Sequence, residues 1–131
     1  MAVLTKIKLG FAGVGGVLIT YLGGMDTMLE VILALLVIDY LTGVLVAIYD
    51  KKVSSSIGYK GIIKKVVMLL LISMSYYLSM VIDNQVPIRE LVIMFFIANE
   101  GISILENASN LGLPIPEKII QVLEQVKGRD M

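Results

Sequence analysis

Two acidic side chains interrupt the apolar stretches of this sequence and are its strongest candidates for chemistry. Asp39 lies near the middle of the run 31–49, and Glu100 follows Asn99 in the run 91–105. A carboxylate at the centre of a membrane span costs about 2.5 to 3.5 kcal/mol of insertion free energy, so such acids are paired or functional. Asp39 is therefore either a pore-lining or state-controlling carboxylate or a structural one bonded to a neighbouring helix.

Small and polar residues accompany both acids at helical spacing. Thr42 and Gly43 lie three and four residues after Asp39, and Ser103 lies three residues after Glu100. Residues with these separations share one face of a helix. The predicted pore-lining or gating residues are Asp39, Thr42, Gly43, Asn99, Glu100 and Ser103.

The composition argues against catalysis. The chain has no cysteine and no histidine, which removes thiol nucleophiles, thiolate metal ligands and the commonest base at neutral pH. Its formal net charge of zero provides no overall field that would attract nucleic acid. We expect no enzymatic activity, no catalytic residue, no metal, no cofactor and no nucleic-acid partner.

The elements that would position these acids are membrane helices. Hydrophobic residues make up 57% of the 131 residues, against roughly 45–50% in soluble domains. The hydrophobic residues are gathered into long runs. At about 1.5 Å per residue, these runs cross or nearly cross a hydrocarbon core of about 30 Å. We predict an all-α integral membrane protein with a bundle of about four hydrophobic helices, although a three-span variant stays open. The predicted spans are 9–25, 31–49, 63–82 and 91–108.

The carboxyl-terminal part differs from the rest. We predict a transmembrane domain over 1–111, then a proline-containing link and an amphipathic cytoplasmic tail over 112–131, with a short helix at 117–127. That helix is a solvated appendage, an interfacial anchor or a partner-binding helix. The segment 91–108 either crosses the bilayer or lies partly in the interface, because its second half is amphipathic.

Basic residues indicate the orientation. Lysine and arginine number two before the first span, none in the next connection, then five, one and three. With four spans and both termini in the cytoplasm, ten of the eleven bases lie inside, as the positive-inside rule requires. The bases predicted to set topology and contact lipid headgroups are Lys51, Lys52, Lys60, Lys64 and Lys65.

Small residues recur every fourth position in the first span, at Ala12, Gly16, Thr20 and Gly24. Such a ridge lets another helix approach closely. It serves either packing against the other spans of the same chain or a contact between subunits of a homo-oligomer.

Several segments carry a family likeness. They are DYLTG at 39–43, KVSSS at 52–56, GYKG at 58–61, IANEGISILEN at 97–107 and GLPIP at 112–116. In these segments the chain resembles the phage lysis holins of the toxin-secretion and phage-lysis holin family, from phages and prophages of Gram-positive bacteria.

The resemblance implies a protein that accumulates in the bacterial cytoplasmic membrane, oligomerises and opens lesions or pores that release an endolysin. Some relatives resemble exporters of large toxins. Endolysin or toxin would thus be a functional partner that needs no direct contact.

Two other interpretations stay open from the residues alone: a small ion or solute transporter or channel, and an accessory subunit that anchors a partner to the membrane.

Overall fold

The computed structural model describes residues 2–128, and within this range the chain forms five helices and no strands. They are α1 (Ala2–Tyr21), α2 (Thr27–Tyr49), α3 (Ser55–Val81), α4 (Ile88–Asn110) and α5 (Glu117–Lys127). The predicted fold class is confirmed: an all-α chain with four long helices and a short amphipathic fifth.

The first helix begins and ends earlier than the predicted span 9–25. It includes Lys6 and Lys8, because a lysine at a helix end can extend its charge toward water without breaking the helix. It ends before two glycines with positive φ, Gly23 at 96° and Gly24 at 94°. Left-handed backbone suits glycine and stops a right-handed helix.

Side-chain caps set the start of α2 and α3. Asp26 accepts a hydrogen bond from the Leu29 amide at 2.9 Å, and Ser54 accepts one from the Ile57 amide at 3.2 Å. Each cap satisfies a backbone donor that a helix start leaves unpaired. The cap at Ser54 explains why residues 55–61, predicted to be a polar connection, form the first two turns of α3 instead.

Helix α4 is the centre of the packing, because it contacts α2, α3 and α5, whereas α2 and α3 touch each other only sparsely. The core is a single apolar cluster between these helices: Leu22, Leu29, Ile32, Leu36, Ile72 and Ile93. The fifth helix packs on α4, so residues 117–127 are part of the bundle and not a detached tail.

Three helices, α1, α2 and α3, are long and apolar enough to cross a membrane. Large hydrophobic side chains are exposed along all three, for example Phe11, Leu45 and Leu70. Exposed apolar side chains over the length of a helix are typical of a surface that faces lipid. Helix α4, predicted to be a fourth span, is not among the three.

Helix α1 stands apart from the bundle. None of its residues is buried, and it makes no more than a marginal contact with any other helix. Only its end is fixed, where the Ser73 hydroxyl donates to the Tyr21 carbonyl at 2.8 Å and the Tyr21 and Tyr77 rings lie 6.4 Å apart.

Candidate functional site

The two acids that interrupt the apolar runs, Asp39 and Glu100, meet where α2, α3 and α4 come together. The Lys65 ammonium donates to Asp39 Oδ2 at 2.7 Å and to Glu100 Oε2 at 3.0 Å. These side chains are 17%, 13% and 4% exposed respectively. We call Asp39, Lys65 and Glu100 the ion cluster; it links one charged residue from each of the three helices.

Asp39 is the most heavily bonded member of the ion cluster. Besides Lys65, its carboxylate accepts from Ser103 Oγ at 2.6 Å and from Asn107 Nδ2 at 3.2 Å. Buried carboxylates are stable when such donors replace water. The acid that sequence analysis identified is thus fully partnered within a single copy of the chain.

Of the other predicted pore-lining residues, some lie beside the ion cluster and one, Asn99, does not bond to it. Asn107 also donates to Thr42 Oγ1 at 2.8 Å, and Gly43 lies beside that amide, with 3.8 Å from its would-be Cβ to Asn107 Nδ2. Asn99 is half-buried but makes none of these hydrogen bonds. The structure therefore brings together five of the six pore candidates and adds Asn107, whose spacing of four from Ser103 could have revealed it.

Lys65 is where the structure differs most from the sequence prediction. Lys51, Lys52, Lys60 and Lys64 are exposed, as expected for residues that set topology or contact headgroups. Lys65, grouped with them, turns inward to the two acids instead. Its partners lie 26 and 35 residues away along the chain, so no local pattern signals the pairing.

The charges of the ion cluster do not balance. With all three groups ionised, two carboxylates share one ammonium, and the cluster carries one net negative charge. Such a group is costly in a low-dielectric interior unless a proton, a cation or water compensates it.

A cleft of about 720 Å³ opens beside the ion cluster, between the second half of α2 and the first half of α3. Asp39, Lys65 and Asn107 are among its polar residues, and Val44 and Ile62 are among its apolar ones. Glycine keeps its walls close, since a Cβ at Gly58 would lie 3.2 Å from the Tyr40 hydroxyl. The cleft gives the ion cluster a route to its surroundings.

A second polar site, which sequence analysis missed, centres on Arg89 at the start of α4. This buried guanidinium donates to the Leu22 carbonyl at 2.6 Å, the Gly24 carbonyl at 3.1 Å and Asp26 Oδ2 at 2.7 Å. Hydrogen bonding to Arg89 holds the pKa of Asp26 below its usual value. The sequence did contain a signal for this pair. Arg89 is the one base between the third and fourth predicted spans, and the predicted topology puts it on the same side of the membrane as Asp26, where opposite charges can pair.

Open space lies beside the glycines of the small-residue ridge of α1. No side chain approaches within 4 Å of where a Cβ would lie at Gly16 or Gly24, and the Thr20 hydroxyl bonds only back to the Gly16 carbonyl at 2.9 Å. Gly24 lies in the turn after α1, so the helical part of the ridge is Ala12, Gly16 and Thr20. Within the described residues, no other span packs against Gly16.

These features define a helical membrane protein with a polar cluster inside its bundle. Comparison with protein families gives a match to the bacteriophage holin family over residues 16–128. Because this match covers most of the chain, the protein belongs to the bacteriophage holin family, and the resemblance noted in the sequence is confirmed.

Similar proteins come from Gram-positive bacteria. An uncharacterised 14.9 kDa protein of Clostridium perfringens is 38% identical over 97% of both chains. Uncharacterised proteins of Listeria monocytogenes and Bacillus subtilis are 33% and 31% identical, over 95% and 83% of this chain and 91% and 81% of their own. No solved structure matches the chain.

Proposed function

We propose that this protein is a holin that assembles in the bacterial cytoplasmic membrane and opens lesions through which an endolysin, or an exported toxin, leaves the cell. Membership in the holin family supports a membrane protein without enzymatic activity. In the proposed topology the amino terminus, the exposed lysines of the connection between α2 and α3, and the link from α4 to α5 lie on the cytoplasmic side, so the carboxyl-terminal segment enters the bundle from the cytoplasm.

One observation carries the assembly part of the proposal. Helix α1 is long and apolar enough to cross the membrane, yet none of its residues is buried, and its contacts with the core and with α3 lie at its carboxyl-terminal end. Its open ridge of Ala12, Gly16 and Thr20 offers the backbone contact through which membrane helices associate. A second copy of the chain is the partner that a self-assembling protein supplies.

We propose that the paired ion cluster corresponds to the closed state of the protein. In a single copy the acids are paired with Lys65 and bonded by Ser103 and Asn107, so they are tolerated in the membrane. Separation of α2 or α3 from α4 would leave these groups without partners unless water replaced them. We propose that wetting of Asp39, Glu100 and their neighbours accompanies opening.

Induced expression with a co-expressed endolysin tests the function. We expect abrupt lysis that depends on the endolysin, together with release of a cytoplasmic reporter enzyme in its absence. Cells that retain both the reporter and the endolysin despite abundant membrane-inserted protein would rule out hole formation.

A matched pair of variants tests the assembly contact. Gly16→Leu fills the ridge, whereas Gly10→Leu makes the same change on another side of α1, and neither position has a neighbour within 4 Å. We expect crosslinked oligomers to decrease with Gly16→Leu and to persist with Gly10→Leu. Equal crosslinking of both variants would exclude this ridge as the interface.

The cleft beside the ion cluster favours a second candidate, a small ion or solute transporter. At about 720 Å³ it is large enough for a small organic solute, and Asp39 and Lys65 supply charged groups. Vesicles loaded with solutes of graded size separate the two functions. Selective passage of one small solute indicates a transporter, while passage of folded protein indicates a holin.

A further inference from the structure

The depth of helix α5 follows from its contact with α4 and from the position of Asp39 along α2. In α2, Asp39 comes 12 residues after Thr27 and 10 before Tyr49, or about 18 Å and 15 Å along the axis. If α2 crosses a hydrocarbon core of about 30 Å, Asp39 lies near its middle. The shared contact with Lys65 keeps Glu100 of α4 at the same level.

The neighbour of Glu100 connects this level to α5. A Cβ placed at Gly101 would lie 3.2 Å from Leu123 Cδ1, so the middle of α5 packs against α4 beside the ion cluster. Since α5 has 11 residues and follows a short link, it runs back along the carboxyl-terminal half of α4.

The outward surface of α5 has two different flanks. One flank is polar, and its exposed members are Glu117, Lys118, Gln121 and Gln125. The other is apolar, and its exposed members are Ile119, Val122 and Val126. Their spacing places each set on its own side of the helix, next to the face that Leu123 presents to α4.

The polar flank is incompatible with lipid at this depth. Ionised side chains within a membrane face a protein interior or a water-filled cavity, because hydrocarbon does not solvate them. The polar flank is exposed, and within the described part of the chain the main packing partner of α5 is α4, on its other side. Water is therefore the surrounding that it needs, while the apolar flank suits lipid or a neighbouring copy.

We propose that the polar flank of α5 lines the aqueous path of the assembled protein, with α5 still docked on α4. This inference rests on the proposed hole-forming function. It assigns the surface that faces the aqueous path to α5, whereas Asp39 and Glu100, the acids that the sequence singled out, lie in the contact between α2, α3 and α4.

Cysteine accessibility tests the assignment, because the chain contains no cysteine of its own. Gln121→Cys places a thiol on the polar flank, and Val122→Cys places one on the apolar flank a single residue away. A membrane-impermeant thiol reagent is added to vesicles or cells on the side opposite the exposed lysine loop, after assembly. We expect Gln121→Cys to react at least about tenfold faster than Val122→Cys, since only a wetted thiolate reacts readily.

A disulfide lock tests whether α5 stays docked. Gly101→Cys combined with Leu123→Cys joins α5 to α4 at their observed contact, and Gly101→Cys alone is the control. We expect the locked protein to retain at least half of the leakage of its reduced form. Leakage that disappears on oxidation and returns on reduction would overturn the proposal, because α5 would then have to leave α4.

The outcomes separate this inference from the function on which it rests. A wild-type protein that forms oligomers yet passes no dye or reagent would overturn the hole-forming function itself. A leaking protein whose Gln121→Cys variant reacts no faster than Val122→Cys would overturn only the placement of α5.

Discussion

Replacing Lys65 with methionine removes the cation that Asp39 and Glu100 share. Methionine keeps much of the apolar stem but leaves two neighbouring carboxyl groups without an opposite charge. The carboxylates must then repel each other, take up a proton or draw water into the bundle, and each of these costs stability. We expect Lys65→Met to weaken the packing of α2 and α3 on α4.

The size of the effect follows from burial and charge count. Breaking a buried ion pair by removing one partner costs about 3 to 5 kcal/mol. The side chains of Lys65 and Asp39 retain 17% and 13% exposure, so we expect the lower end of that range, about 3 kcal/mol. Glu100→Gln should cost less than about 1 kcal/mol, because it leaves a neutral Asp39–Lys65 pair and an amide that can still accept from Lys65.

Unfolding of the purified protein in neutral detergent, followed by loss of helical circular dichroism, measures these differences. Lys64→Met is the matched control, because it removes the same charge from an exposed neighbour and should change stability by less than about 0.5 kcal/mol. A Lys65→Met variant as stable as the Lys64→Met control would refute the structural role of the ion cluster. So would a Glu100→Gln variant that is destabilised as much as Lys65→Met.

Three further predictions concern the turn between α1 and α2, and detergent unfolding checks each one. Gly23→Ala should cost about 1 to 2 kcal/mol more than Gly24→Ala: both have positive φ, but only at Gly23 would the new Cβ collide, 2.5 Å from Arg89 Nε. Arg89→Lys should cost about 2 kcal/mol, because one ammonium cannot reproduce the bonds of the guanidinium to both carbonyls and to Asp26. Because the pKa of Asp26 is lowered in the fold, its contribution is complete above about pH 4 and is lost as the pH falls through that lowered pKa; Asp26→Asn should reduce this loss of stability in acid.

Much of the fold could be predicted because apolar runs and helix-stop signals are local. The end of α2 at Tyr49 and the bounds of α5 agree with the sequence prediction. The starts of α2 and α3 were missed by four and eight residues, since a search for charge-free runs passes over polar residues inside a helix. The caps at Asp26 and Ser54 were the better signals for both starts.

The candidate site was predictable only in part. Asp39 and Glu100 stand out because ionisable groups are expensive in membranes, and their helical spacing correctly gathers Thr42 and Ser103 with them. The role of Lys65 depends on how α3 rotates and at what height it meets α2 and α4, which no single helix encodes. The sequence around Lys65 is the same whether its side chain contacts lipid headgroups or turns inward to an ion pair, so the sequence alone does not distinguish the two.

The polar contacts divide the molecule into a fixed unit and an attached helix. Arg89 bonds α4 to Asp26 at the start of α2, and the ion cluster bonds α4 to Asp39 in the middle of α2, so these two helices are joined at two heights. Helix α1 is held to this unit and to α3 at its carboxyl-terminal end, at Tyr21 and Leu22. A subunit contact through α1 would leave the α2–α4 unit undisturbed, so the proposed holin function predicts that assembly and opening are separable steps. Variants at Gly16 should then affect oligomer formation, and variants at Lys65 should affect what the oligomer does.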